Sequence, residues 1–294
     1  MPASSQEAEV AVVGGRGFIG GALVRRLRAD GVPVAVLGRG DLAAGAGLVE
    51  RARRSRTIYW AASSINPALA RSQPERVAAD LAGFDEFLDA LGRSEARLVL
   101  LSSGGTVYGR ATPPFTESTP TAPISEYGAA KLALEQRLRE RHPNAVVARI
   151  SNAYGPGQAL APGQGVIGHW LRSVVREEPI EVFGGLDTAR DYLYVDDLAD
   201  ALGRLHHRAN AAPAVVNLGS GRPTTLKEIL DLIHEITGDS MVDVDHREAR
   251  GFDLERVWLD VGLAEQALGW RPSTDLATGI AAMWDWLRAG EPEL

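Results

Sequence analysis

A chain of 294 residues with 45% apolar and 23% charged side chains has ordinary globular composition, long enough for two lobes and too apolar for extensive disorder. It contains no cysteine, which excludes disulfide scaffolds, thiolate zinc sites and cysteine nucleophiles. The formal net charge of −7 argues against nucleic acid or anionic membrane as a partner, and Arg16 and its neighbouring glycines break the first apolar stretch well short of a bilayer span, so a soluble cytoplasmic protein is expected.

Along the first half, short apolar runs alternate with helix-period segments, which predicts a doubly wound α/β fold with a parallel sheet. Glu9–Val13 reads as a strand, followed by a glycine turn and a helix to about Asp30 that Gly31 is placed to stop. Val34–Leu37, Thr57–Ala62 and Leu98–Ser102 read as further strands, with a helix over 74–91. Tyr127–Arg141 is helical up to His142-Pro143, Ala145–Ile150 is a strand, and Ala214–Leu218 brings the strands to six. Between them lie a Gly- and Pro-rich loop at 155–165, a helix at 166–176, and short strands at 180–183 and 192–195 around Gly184-Gly185. A helix follows at 196–207, another is capped by Thr224 or Thr225, and a last amphipathic helix covers 275–287. Arg51, Arg53, Arg54 and Arg56 read as a solvated helix face. The six histidines show no metal-binding spacing.

Between the first strand and first helix lies Gly14-Gly15-Arg16-Gly17-Phe18-Ile19-Gly20, a G-x-x-G-x-x-G turn. Glycines there let the backbone approach a pyrophosphate, and the helix N-terminus offers unpaired N–H groups. A dinucleotide is therefore expected on residues 1–152 and 191–218, with 153–190 and 219–294 forming a smaller substrate lobe. The second strand ends in Gly38-Arg39, where an acid would accept ribose hydroxyls; the guanidinium favours NADP(H), with NAD as the alternative.

Tyr127-Gly128-Ala129-Ala130-Lys131 sets a phenol and an ammonium one helical turn apart. A free phenol titrates near pH ~10, and a neighbouring cation stabilises phenolate and suits it to acid–base work. The chain has only two lysines among 31 basic residues, Lys131 and Lys227, so a lysine at this spacing stands out.

These pieces continue with Ala61-Ala62-Ser63, Ser102-Ser103-Gly104-Gly105-Thr106-Val107-Tyr108-Gly109, Arg149-Ile150-Ser151-Asn152, Arg190-Asp191-Tyr192, Asn217-Leu218-Gly219-Ser220-Gly221 and Leu268-Gly269-Trp270-Arg271-Pro272. In this order, over nearly the whole chain, the sequence resembles the extended short-chain dehydrogenase/reductase family in its nucleotide-sugar epimerase/dehydratase branch.

The resemblance implies hydride transfer at a sugar carbon, usually C4, with Tyr127 exchanging the proton and Lys131 holding the nicotinamide ribose. It implies cofactor contacts from the glycine turn, Gly38, Arg39, Ala61, Ala62, Ser63, Leu101, Ser102 and Ile150. It also implies a nucleotide-diphosphate sugar on Asn152, Arg190, Arg250 and Asp253. Phe183 is an expected core aromatic with base stacking as the lesser option. The customary catalytic hydroxyl falls at Gly104, which leaves Ser103 or Thr106 to replace it, and the Asp-Glu pair of dehydratases is missing at Gly105-Thr106. Only about twenty residues separate Leu37 from Ile58, so one βα unit on the adenosine side is abbreviated. The expected activity is NADPH-dependent 4-ketoreduction of a nucleotide-linked keto-deoxyhexose. The alternatives are an NAD-dependent 4-epimerase and a non-catalytic dinucleotide-binding sensor. Relatives of this kind dimerise through the helices at 74–91 and 127–141, for which Leu81, Phe84, Leu88, Leu132 and Leu138 are the candidate contacts.

Overall fold

A computed structural model describes residues 8–38, 46–160, 165–208, 212–238, 243–248 and 254–290. Among the described residues the first ten strands in chain order are β1 (Val10–Val13), β2 (Val34–Leu37), β3 (Thr57–Trp60), β4 (Arg97–Ser103), β5 (Ala145–Ile150), β6 (Asn152–Tyr154), β7 (Ile180–Phe183), β8 (Ala189–Arg190), β9 (Tyr192–Tyr194) and β10 (Val215–Leu218). Six of them form one parallel sheet in the order β10-β5-β4-β3-β1-β2. This is the doubly wound Rossmann-like arrangement that the alternating pattern predicts.

Both faces of the sheet are covered, which is why its central strands are continuous apolar runs. Val10 and Val12 point into one layer of core with Leu23 and Leu27 of the Phe18–Ala29 helix and Leu198 and Leu202 of the Val195–His207 helix. Ala11 and Val13 point the other way, toward Phe84, Phe87 and Leu91 of the Pro74–Leu91 helix and Leu134 and Leu138 of the Glu126–Arg141 helix. That two-residue alternation is the pleat of the strand. Trp60 meets Phe84 and Phe87 at ring-centroid distances of 5.0 and 4.9 Å, which locks the Pro74–Leu91 helix onto the sheet.

β2 stands at the edge of the sheet, and among the described residues the helix Ala46–Arg53 follows it. Arg53 is not simply solvated: its Nε donates to Leu91 O at 3.1 Å and its Nη2 to Ala90 O at 2.5 Å. It closes carbonyls that the end of the Pro74–Leu91 helix leaves open.

The smaller core gathers the helices Val166–Val175, Leu226–Thr237 and Leu276–Arg288 around Ile180 and Val182. Thr225, rather than Thr224, caps the Leu226–Thr237 helix, in a capping box with Glu228. The strands flanking Gly184-Gly185 do not pair with each other; β7 pairs with Val244–Arg247 and β9 with β6, both in parallel. A helix absent from the sequence reading, Gly262–Leu268, packs with Trp270 against the large sheet's core, although it belongs to the segment expected in the smaller lobe. Trp270 Nε1 donates to Asp197 O at 3.1 Å.

The expected dimer contacts are used inside the monomer. Phe84, Leu88 and Leu138 are buried in the core, and Leu81 and Leu132 pack partly buried against core clusters. Outside them Asp85 pairs with Arg137 at 3.0 Å and with Arg141 at 3.2 Å, so the outer face of the helix pair carries charges.

At the opposite end of the sheet from the strand C-termini, His206 is 2% exposed, with Nδ1 2.9 Å from Thr57 Oγ1. Burial holds its imidazole below the usual histidine range, outweighing the attraction of Glu9, while His207 and Arg56 push the same way as burial. The unfolded chain therefore takes up this proton first as pH falls through about 6.5, and folded stability is lost from there downward but not above. Melting temperatures between about pH 7.5 and 5.5 are expected to fall less steeply in His206→Gln than in the parent. Parallel slopes would refute that role.

Candidate active site

The C-terminal ends of β1, β3, β4 and β5 open into a cleft of about 1640 Å³, lined by Gly17, Ser63, Ser103, Tyr127, Lys131 and Arg190 among others. A single small-molecule pocket has about 300–1,000 Å³, so there is room for a dinucleotide and a second ligand together.

The glycine turn divides its work. Gly14 has φ +85°, and a Cβ there would lie 2.6 Å from Ala62 N; a Cβ on Gly20 would lie 2.3 Å from Gly14 O. Gly14 and Ala62 are therefore close-packing residues behind the cleft wall, while Gly17, Phe18, Ile19 and Ala61 line it. Gly17 caps the Phe18–Ala29 helix with no side-chain acceptor on its first-turn N–H groups. Such an end can receive a pyrophosphate. Gly15 packs against Val24 and Val36, and Arg16 is exposed. Gly38 ends β2 without a carboxylate, and Arg39 lies outside the described residues.

Tyr127 stands in the first turn of its helix because Ser125 caps it, accepting from Gly128 N at 3.1 Å. Gly128 lets this turn come close to the end of β4: a Cβ there would be 2.6 Å from Thr106 O. Lys131 is 6% exposed, with Nζ 5.5 Å from the centre of the Tyr127 ring. The phenol and the ammonium thus share the cleft with the glycine turn, as one acid–base unit requires.

Behind them is a buried ionic cluster that the sequence reading did not include. Glu135, on the same helix, is 0% exposed and accepts from Arg149 Nε at 3.1 Å and Nη2 at 2.7 Å. It also accepts from Ser102 Oγ at 2.6 Å and Arg139 Nη2 at 3.0 Å. Arg149 lies 4.9 Å over the Tyr108 ring, and Tyr108 donates to Asn217 Oδ1 at 2.7 Å. Burial opposes the charge on Arg149, but Glu135 and Tyr108 hold its guanidinium above its usual range. Because Ser102 Oγ is spent on Glu135, Ser102 meets the cleft beside Leu101 and Ile150 as wall rather than as an uncommitted hydroxyl.

Ser103 and Thr106 both line the cleft, and Thr106 Oγ1 is buried with no hydrogen-bond partner among the described residues. At Gly104 a Cβ would lie 2.7 Å from Leu259 Cδ1, so a leucine from the C-terminal segment fills the space beside the missing hydroxyl.

Farther along, Asn152 is exposed, with Nδ2 donating to Asp191 O at 2.9 Å, and Arg190 lines the cleft with Nη1 on Ala189 O at 3.0 Å. Asp191 ties this end together, accepting from Ser220 N at 2.7 Å, Gly221 N at 3.3 Å and Leu259 N at 3.2 Å. Burial holds its carboxyl above the usual carboxylate range, against the pull of the donors from Ser220 and Leu259. Phe183 lines the cleft half-buried. Arg250 and Asp253 lie outside the described residues. The cleft also takes in His169 and Arg172, 2.9 Å apart between Nδ1 and Nη2, which no motif in the sequence announces.

Residues 10–219 match the model of the NAD dependent epimerase/dehydratase family. The chain belongs to that family. It is thereby a member of the NAD(P)-dependent enzymes of the extended short-chain dehydrogenase/reductase type. The dTDP-4-dehydro-6-deoxyglucose reductase of Escherichia coli is 35% identical over 63% of this chain and 59% of its own length. The UDP-glucose 4-epimerase of Mycolicibacterium smegmatis is 32% identical over 94% of this chain and 97% of its own. The UDP-glucose 4-epimerase of Thermotoga maritima, solved with UDP-glucose, superposes with a TM-score of 0.86 at 27% identity, over 95% of this chain and 98% of that one. Among the described residues of this family member, no helix is long and apolar enough to cross a membrane.

Proposed function

We propose that this protein is an NADPH-dependent 4-ketoreductase acting on a nucleotide-diphosphate-linked 4-keto-deoxyhexose. The observation that carries the reading is the convergence of Tyr127, Lys131 and the helix N-terminus at Gly17, which has no side-chain cap bond, on one cleft large enough for two ligands. NADP(H) is favoured because the sequence after Leu37 continues Gly38-Arg39, with the nearest acid, Asp41, only later. The edge position of β2 supports a cofactor that exchanges with solution. The dinucleotide is assigned to 1–152 and 191–218, and the sugar nucleotide to 153–190 and 219–294 in the cytoplasm.

When bound, the reduced nicotinamide supplies the hydride. Tyr127 gives its proton to the C4 oxygen, so that ketone becomes hydroxyl, and Lys131 stabilises the phenolate left behind and holds the ribose. Ser103 or Thr106 donates to the same oxygen. Asn152, Arg190, Arg250 and Asp253 grip the diphosphate and nucleoside, since charge-assisted donors suit phosphate and a carboxylate suits a diol. A homodimer remains part of this reading, carried by the family resemblance alone.

The second reading, an NAD-dependent 4-epimerase, is favoured by the Ser102–Gly109 stretch and by the likeness to the Thermotoga enzyme. One experiment separates the two. The purified protein is mixed anaerobically with UDP- and TDP-linked hexoses and 4-keto-hexoses while nicotinamide absorbance is followed. Stoichiometric NADPH oxidation on adding a keto-sugar is the expected result. Epimer formation with no added cofactor overturns the reductase and establishes the epimerase.

A further inference from the structure

The glycine turn carries one charged side chain that its backbone does not need. Gly14 N donates to Leu37 O at 2.7 Å, so the chain leaves β1 tied to the last residue of β2. Gly15 is buried, and a Cβ on it would lie 3.1 Å from both Val36 Cγ1 and Val24 Cγ2, which sets the turn between β2 and the Phe18–Ala29 helix. Arg16 comes next and is exposed, and Gly17 after it lines the cleft. Glu177 is the non-glycine residue with positive φ among the described residues, so position 16 makes no demand for a special residue type. In a doubly wound sheet the pyrophosphate sits at the first helix N-terminus, and a residue about 20 positions on, after the second strand, meets the 2′-oxygen of the adenosine ribose. Gly38 takes that place here, following Leu37. The 2′-oxygen therefore belongs between Gly38 and the turn that carries Arg16.

We propose that Arg16 recognises the 2′-phosphate of NADP(H) and sets the preference over NAD(H). The proposal rests on reading the glycine turn as a dinucleotide site, and it deepens the NADP(H) assignment by naming the group that makes it. A phosphate presents several anionic oxygens, and the planar guanidinium fork can donate to two of them at once. The unphosphorylated ribose offers a diol instead, whose usual partner after the second strand is a carboxylate. Gly38 supplies none and has no side chain to occupy the phosphate's place. Other arginines on the elements around the turn have their own partners. Arg25 and Arg26, on the Phe18–Ala29 helix, face Asp196 at 3.9 Å and Asp200 at 3.0 Å. Arg53 closes carbonyls of the Pro74–Leu91 helix, and Arg56 faces Glu9 at the other end of β1.

Binding alone tests this, with no sugar present. Affinities of the purified protein for NADPH, NADH, 2′,5′-ADP and 5′-AMP are measured by calorimetry. The parent is expected to bind the 2′-phosphorylated member of each pair more tightly. In Arg16→Gln the affinities for NADPH and 2′,5′-ADP are expected to fall about 10- to 100-fold, the worth of hydrogen bonds to a charged group. Those for NADH and 5′-AMP are expected to stay within about twofold, because the pyrophosphate is held by the backbone of the turn. Arg16→Lys keeps the charge and loses the fork, so it is expected to fall between parent and Arg16→Gln, and it carries the test where Arg16→Gln does not fold. Equal losses for both pairs, or no loss for either, overturn the proposal. So does a parent that binds NADH as tightly as NADPH. An NADPH preference that survives in Arg16→Gln, together with keto-sugar reduction by the parent, refutes the role of Arg16 and leaves the reductase standing. A preference lost in Arg16→Gln, with no keto-sugar reduced by the parent, supports the role of Arg16 and refutes the reductase.

Discussion

Tyr127→Phe is expected to lower turnover by about 10²–10⁴-fold, the range a positioned general acid contributes, while the cofactor still binds. The loss is confined to chemistry because the ring stays. Phenylalanine keeps the apolar contacts with Ile65, Ala70 and Ala130 and removes only the hydroxyl. Cofactor affinity by calorimetry and turnover by nicotinamide absorbance are the paired measurements. A variant as active as the parent rejects Tyr127 as the proton donor. Loss of cofactor binding instead assigns the tyrosine to holding the ribose.

Glu135→Ala is expected to cost about 3–5 kcal/mol of folding stability, because it strands the Arg149 guanidinium in the core. For a protein of this size that lowers the melting temperature by roughly 10 °C. Glu135 has no exposed surface and four donor atoms aimed at it, from Arg149, Ser102 and Arg139. Replacing both ions with apolar groups in Glu135→Leu/Arg149→Met should recover most of the loss, since the penalty comes from the unpaired charge rather than from the missing bond. Urea unfolding of the parent, the single variant and the double variant checks this. A single variant within about 1 kcal/mol of the parent would show that Arg149 finds water or another partner instead.

The two clusters around the reacting pair differ in how visible they were. The Tyr127/Lys131 spacing is local: one helical turn brings the phenol and ammonium onto the same face whatever surrounds them. Glu135 and Arg149 are 14 residues apart, and their charges read as surface until the helix is laid on β4 and β5 with that face inward. Asp80, buried near Lys131 with its carboxylate accepting from Ser63 and Ser64, carried a faint signal. It stands four residues before Phe84 and seven before Phe87, on the apolar stripe of its helix, where a carboxylate needs a partner. Phe84, Leu88 and Leu138, three of the five expected dimer contacts, are buried within the monomer for the same reason: an apolar face on a helix says that it is covered, not whether by its own sheet or by another chain.

The amino-acid order alone determined what depends on near neighbours: the strand–glycine–helix turn, the six parallel strands and the tyrosine–lysine step. Periodicity, turn chemistry and i,i+4 spacing act over a few residues, so they can be read without knowing the partner. Only the tertiary structure decided which groups are buried against which. It brought Leu259 beside Gly104, Arg53 onto the end of a distant helix, and Ser63 between Lys131 and Asp80. Those outcomes depend on close packing between segments far apart in the chain, where a shift of about one methylene is already felt.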